Sequence, residues 1–182
     1  KTGDWSTFEL GSQKPVTVRE VQTEVPALLV QLGAHVEQDS EGTVIEVNLN
    51  NTRITDRGLQ QLQQLTGLQT LHLERTAITD HGILHLQGLD ALRDLRLGST
   101  QITDAALPYL VGLTGLQNLS LGRTQITDDG LQHLSVMTHL HELSLNKTQI
   151  SDAGLLQLAG LTTLRLLVLG SNALTHQGLV HL

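Results

Sequence analysis

The phrase TQITDDGL at residues 124–131 recurs along the chain with a fixed spacing of 24 residues. Near copies begin at Thr52, Thr76, Thr100 and Thr148. The same spacing separates Val44, Leu68, Leu92, Leu116, Leu140 and Leu164. These six residues start five full copies and a sixth that stops at Leu182, and positions 1–24 are counted from them. A period of this length indicates a stack of supersecondary units, each stabilised by its neighbours.

Each copy carries two apolar periodicities. In the fourth copy, LQNLSLGRTQITDDGLQHLSVMTH, Leu119 and Leu121 alternate with a polar residue, as in a strand with one buried face. Leu131, Leu134 and Met137 are then spaced by three, as along one face of an α-helix or a 3₁₀ segment. Each copy therefore predicts a strand followed by a short helix, with the repeated phrase between them.

We interpret the phrase as the elbow between strand and helix. Thr127 is placed to accept a hydrogen bond from the following turn, and Asp128 puts negative charge near the helix start. Ile126 has the spacing of a side chain buried where the chain turns inward. Gly130 falls in the first helical turn, where a small residue lets neighbouring coils approach, and Ala106 replaces it in one copy. A catalytic interpretation of the phrase would require five active sites in a row.

The consensus L-x-x-L-x-L-x-x-T-x-I-T-D-x-G-L-x-x-L resembles the leucine-rich repeat family over residues 44–182. It is most similar to bacterial members with T-x-I-T-D-x-G-L repeats, and it also resembles ribonuclease-inhibitor-like and F-box-associated repeats. The resemblance implies an α/β fold, a right-handed leucine-rich repeat solenoid with a concave parallel sheet and convex helices. It also implies a non-enzymatic protein–protein interaction module.

Two positions depart from the family pattern. Many members have Asn at position 9, where its amide forms hydrogen bonds with backbone groups between coils. In this chain only the sixth copy has Asn at position 9, as Asn172. The other copies have Thr52, Thr76, Thr100, Thr124 and Thr148, whose hydroxyl donates only one such bond. His176 also stands where Asp is expected, which predicts a weaker cap on the last helix.

The ends of the chain read differently from the repeats. Residues 1–15 are expected to be a linker or loosely ordered tail, and the alternative is that Trp5 and Phe8 anchor it to the cap or to another domain. Residues 16–43 carry a helical apolar stripe ended by Gly33 and are expected to form an N-terminal helical cap. Residues 44–182 are the repeats, with no C-terminal cap expected, so that the parent protein continues or the end pairs with another chain.

Composition excludes several classes of function. The formal net charge is −7, which argues against a nucleic-acid-binding surface because such surfaces need clustered Lys and Arg. There is no cysteine, so thiol nucleophiles, disulfides and Cys-ligated zinc are excluded. No apolar run reaches the about 18 residues that span a bilayer, so no membrane insertion is expected.

Histidines and hydroxyls do not form a convincing chemical site. His85, His133 and His181 share position 18 but stand two repeats apart, roughly 10 Å, which is too far to share a zinc ion. His72 and Ser120 are separated in the same way, too far for proton transfer. No glycine loop matches a phosphate-binding fingerprint. We therefore expect no catalytic, cofactor-binding or metal-binding residues and no cofactor.

The outward positions of the concave face are the expected working surface. The candidate partner-binding residues are His72, Arg75, Asp94, Arg96, Asn118, Arg123, Glu142 and Lys147. Arg75, Arg96 and Arg123 suggest a basic spot for a carboxylate-rich partner, and Asp94 with Arg96 suggests a local ion pair. No aromatic residue lies on this face, although interface hot spots are enriched in aromatic residues.

Two descriptions of function follow. The first is an interaction module for an unidentified protein, and the alternative is a structural spacer or regulatory arm of a larger protein with no tight ligand. End-to-end self-association through the C-terminal coil is a further possibility.

Overall fold

The computed structural model describes residues 18–180 and 182, and the side chains from residue 24 onward except 181. The tail at residues 1–15, with Trp5 and Phe8, and the side chain of His181 lie outside the described residues. Within the described part, no helix is long and apolar enough to cross a membrane.

A helix and a short strand precede the first repeat. Helix α1 spans Val18–Gln31 and turns Leu29 into the core, where it is fully buried. The helix ends before Gly33, whose φ of 90° reverses the chain. Strand β1, His35–Gln38, then pairs antiparallel with β2, Val44–Asn48. The division into a cap at 16–43 and repeats at 44–182 remains a prediction.

The strands form one seven-stranded sheet in chain order. From β2 onward every pair is parallel and in register at the repeat period, so that Leu95 lies beside Leu119 and Leu119 beside Leu143. The remaining strands are β3 Thr70–His72, β4 Asp94–Arg96, β5 Asn118–Ser120, β6 Glu142–Ser144 and β7 Leu166–Val168. Equivalent residues therefore stand in straight rows across the sheet.

Short helices cover the other side of the coils. They are α2 Asp56–Leu62, α3 Asp80–Ile83, α4 Leu107–Leu110, α5 Asp128–Leu134, α6 Asp152–Leu155 and α7 His176–Leu179. The 3₁₀ segments Leu84–Leu86 and Leu156–Leu158 extend α3 and α6, and Asp104–Ala106 leads into α4. The α/β solenoid expected from the repeats, with a concave sheet and convex helices, is confirmed.

One continuous leucine core fills the space between sheet and helices. The periodic apolar positions of the fourth copy are all buried, namely Leu116, Leu119, Leu121, Ile126, Leu131, Leu134 and Met137, whereas Val136 is exposed. In the last coil, Leu164, Leu167 and Leu169 are only partly buried. Since each coil buries its apolar residues against the next, stability is shared between neighbours.

The repeated phrase forms the elbow expected of it. The hydroxyl of Thr127 accepts a hydrogen bond from the N–H of Asp129 at 3.3 Å, which caps α5. The same bond forms at Thr79, Thr103, Ser151 and Thr175. Thr55 is the exception and makes no side-chain cap bond.

The aspartate of the phrase has a second role that the sequence reading missed. Asp104 accepts hydrogen bonds from the backbone N–H of Thr127 at 2.9 Å and from its hydroxyl at 2.6 Å, so it grips the elbow of the next coil. This ladder also joins Asp56 to Thr79, Asp80 to Thr103, Asp128 to Ser151 and Asp152 to Thr175. We call these five links the aspartate ladder. Each link ties a helix start to the following elbow.

The hydrogen bonds at position 9 differ between Thr and Asn as the sequence predicts. The hydroxyl of Thr100 donates one hydrogen bond to the carbonyl of Leu97 at 2.6 Å, within its own coil. The amide of Asn172 instead donates to Leu145 O at 2.7 Å and to Leu169 O at 3.0 Å, and it accepts from the N–H of Thr148 at 2.8 Å. Asparagine therefore bridges two coils where threonine serves one.

Candidate functional site

Strand alternation decides which side chains reach the concave face. Position 4 is buried in the first five coils and partly buried in the sixth, while positions 3 and 5 point away from the core. The parallel register aligns the outward residues into two rows. The position 3 row is Glu46, Thr70, Asp94, Asn118, Glu142 and Leu166, and the position 5 row is Asn48, His72, Arg96, Ser120, Ser144 and Val168. The rows change chemistry from coil to coil.

Asp94 gathers three of the other candidate residues around its carboxylate. Arg96 Nε lies 3.2 Å from Asp94 Oδ1, and His72 Nε2 lies 3.5 Å from the same oxygen. Asn118 Nδ2 donates to Asp94 Oδ2 at 3.3 Å. The side chain of Asp94 is only 18% exposed, whereas that of Arg96 is 47% exposed. The expected Asp94–Arg96 ion pair is therefore present, and it leaves much of the guanidinium open to solvent.

His72 completes this cluster without a full hydrogen bond. Its Nε2 is buried and has no hydrogen-bond partner, because the Asp94 oxygen lies just beyond good bonding distance. A buried polar atom left this way costs free energy.

A shallow depression of about 260 Å³, here called the concave groove, runs from Glu74 of the second coil to Val168 of the sixth. Its outward-facing lining includes Asp94, Arg96, Asn118, Glu142, Leu166 and Val168. Four of the eight candidate residues therefore share one surface. His72 stands at its border through the contact with Asp94.

Arg75, Arg123 and Lys147 lie outside the groove. They occupy position 8, in the turn that follows each strand. The backbone φ there is 56° at Arg75, 59° at Arg123 and 55° at Lys147. Their backbone N–H groups donate to the next coil, as Arg123 N does to Asn146 O at 2.8 Å. Arg75 and Arg123 border a separate polar pocket over Gly98 and Gly122. Arg96 thus lines the groove, whereas Arg75 and Arg123 border an adjoining pocket that shares Glu74 and Ser120 with it.

The left-handed backbone at position 8 gives a stability prediction. Arginine is disfavoured at positive φ, whereas asparagine tolerates it, and Asn51 holds the equivalent place with φ of 60°. Arg123→Asn is expected to raise the free energy of unfolding by about 0.5 kcal/mol, measured by urea unfolding. Gln125→Asn, two residues away and also exposed, is the control and should give no gain. Equal effects of the two changes would contradict the role of φ.

The sequence reading missed two residues of the groove. Leu166 is 49% exposed and Val168 is 37% exposed, and they take the outward places that polar residues hold in the five preceding strands. The available signal was their position in the repeat, because positions 3 and 5 of the sixth copy are apolar.

The described part of the chain contains no cluster of side chains suited to holding a metal ion. None of its His, Asp and Glu residues form a group of three that would hold an ion. His72 and Ser120 are aligned in the sheet with Arg96 between them, as their spacing predicted. The side chain of His85 contacts that of Gln63, because His85 Nδ1 lies 3.0 Å from Gln63 Nε2.

Comparison with known proteins agrees with this architecture. The family model described as Leucine Rich repeat matches residues 136–159. An internalin from Listeria monocytogenes is 25% identical, with a TM-score of 0.63 over 79% of this chain and 48% of the internalin. The chain thus spans about half the length of that internalin. The structure of PEPR1 with AtPEP1 is similar in fold, with 19% identity and a TM-score of 0.51 over 81% of this chain and 24% of the other. No match was found among curated proteins.

Proposed function

We propose that this chain, which is a leucine-rich repeat protein, is a non-enzymatic module that recognises a protein through its concave groove. The observation that carries the proposal is internal to the chain. Positions 4 and 6 are Leu or Val in all six copies, whereas positions 3 and 5 differ from one strand to the next. A fixed scaffold with a varied outward face is suited to recognising one particular partner.

The geometry of the groove supports the proposal in a second way. Asp94 fixes the position of Arg96, so part of the entropy cost of ordering this long side chain is met before binding. Arginine offers several donors, and only its Nε faces Asp94. The remaining donors can pair with a carboxylate or carbonyl group of a partner. PEPR1, similar in fold, is seen in a complex with AtPEP1.

The alternative is a structural spacer or regulatory arm with no tight ligand. The groove favours this alternative in one respect, because its charges are of both signs and Asp94 pairs with Arg96. An exposed ion pair of this kind contributes little energy and is not in itself evidence of a ligand. The two functions differ in what a change of the groove does. A spacer keeps its function when residues of the groove are changed, whereas a recognition module no longer binds its partner.

The test is affinity capture from lysate and envelope fractions of the source organism with the wild-type chain and Arg96→Glu. The variant is expected to lose the captured protein because its charge in the groove changes by two units, with a fall in affinity of about tenfold or more. Arg123→Glu tests the neighbouring polar pocket in the same way. The control is Gln60→Glu with Gln157→Glu, which makes the same charge change at two exposed residues of the helical side. Capture that is identical for all variants favours the spacer.

A further inference from the structure

We propose that the C-terminal part of the concave groove binds an extended partner segment that carries a Lys or Arg side chain next to an apolar side chain. This inference rests on the proposed function and names the chemistry of its partner. The surface consists of Glu142, Ser144, Leu166 and Val168, here called the acidic–apolar patch. A cation would meet Glu142, and an apolar side chain would cover Leu166 and Val168.

The apolar half of the patch belongs to the outward face and not to the core. Leu166 and Val168 flank Leu167, which points inward and is partly buried. Their counterparts in the preceding strand, Glu142 and Ser144, also face outward although a strand lies on each side of them. A coil packed beyond β7 would therefore leave these two side chains facing the groove. Exposed apolar side chains set among polar ones are typical of a binding surface.

The acidic half of the patch has no partner within the chain. Glu142 is exposed, and its carboxylate makes no hydrogen bond or ion pair with any described residue. Asp94, by contrast, has Arg96 at 3.2 Å. Because the register sets Glu142 beside Leu166, an unpaired negative charge stands one strand spacing, about 4.8 Å, from an exposed apolar side chain.

The charge of the whole groove agrees with this assignment. Its lining carries Glu74, Asp94 and Glu142 against the single cation Arg96, in a chain whose formal net charge is −7. A cationic partner is therefore attracted to the groove as a whole and finds its free carboxylate at Glu142. Same-face residues of an extended segment lie about 7 Å apart. The cation and the apolar residue are thus expected one or two residues apart in the partner.

The experiment selects nine-residue peptides from a random displayed library on the wild-type chain. Enriched peptides are expected to place Lys or Arg within two residues of Leu, Ile, Val or Phe. The best peptide is then synthesised and its affinity measured by fluorescence anisotropy. Glu142→Lys is expected to weaken it about tenfold or more, and a peptide with its cation replaced by Glu should regain affinity for that variant. Leu166→Asn with Val168→Ser, the residues of the fourth copy, should weaken it similarly.

The control and the outcomes separate this inference from the proposed function. Asp129→Arg reverses a charge on the helical side and introduces the residue found at this position in the first copy, so affinity should not change. Acidic consensus peptides, no enrichment, or indifference to Glu142→Lys overturns the inference. Binding that still depends on Arg96 in those cases leaves the proposed function standing. Binding indifferent to every groove variant overturns both.

Discussion

Asp128→Asn is expected to lower the free energy of unfolding by about 2 kcal/mol. Asp128 Oδ1 accepts the backbone N–H of Ser151 at 2.8 Å, and Oδ2 accepts the Ser151 hydroxyl. An asparagine keeps one acceptor but turns an NH₂ group toward that hydroxyl. The hydroxyl already accepts the N–H of Ala153 at 3.3 Å, so its own proton loses its partner. The amide can still donate to the second lone pair of the hydroxyl, so the link between the two coils keeps a neutral hydrogen bond and loses the stronger charge-assisted one.

The neighbouring carboxylate provides the matched control. Asp129 lies in the same first turn of α5, so its charge interacts with the helix dipole in nearly the same way. Its side chain is exposed and makes no hydrogen bond within the described residues. Asp129→Asn should therefore cost no more than about 0.5 kcal/mol. Urea unfolding and amide exchange at Ser151 measure both variants, and equal losses would show that Asp128 acts only through the helix dipole.

The elbow shows how far one copy of the repeat specifies its own structure. Thr127 as a cap and Thr100 as a single donor were predictable because their partners lie within three residues along the chain. The buried positions were predictable because the period aligns six copies. Local chemistry and repetition together therefore fixed the solenoid.

The aspartate ladder was not predictable in the same way. Reading one copy assigned Asp128 to its own helix, and its true partner Ser151 lies 23 residues away. Only the stacking of successive coils in the folded chain brings Asp128 and Ser151 together. The backbone at position 8 was also hidden, since Arg75 and Lys147 are not residues that favour positive φ. The coil geometry overrides their local preference.

The candidate site was predictable in its rows but not in its contacts. Sequence alternation placed His72, Asp94 and Arg96 on one face, and the structure joins them around a single carboxylate. The alternation gave no reason to separate Arg96 from Arg123, because the turn after each strand directs Arg123 to the adjoining pocket only in the folded chain. The partner-binding role of these residues stays a prediction.

Gly130→Ala is expected to lower the free energy of unfolding by about 2 kcal/mol, although alanine is the better helix former by about 1 kcal/mol. A Cβ at Gly130 would lie 2.7 Å from Cγ of Asp104 and 2.8 Å from Cδ1 of Leu107. A free carboxylate would move aside at little cost. Asp104 is held by two hydrogen bonds to Thr127, so it cannot move aside without weakening this link of the aspartate ladder, and otherwise the start of α5 must shift.

The third copy shows what the substitution must do to the backbone. Ala106 holds the place of Gly130 there, and the helix begins as the 3₁₀ segment Asp104–Ala106 instead of an α-helical turn. Gly112→Ala is the control, because a Cβ there meets nothing nearer than Tyr109 O at 3.8 Å. Urea unfolding should show a loss only for Gly130→Ala, with faster amide exchange at Thr127. If the loss occurs while Thr127 stays protected, crowding against the leucine and not the broken link carries the cost.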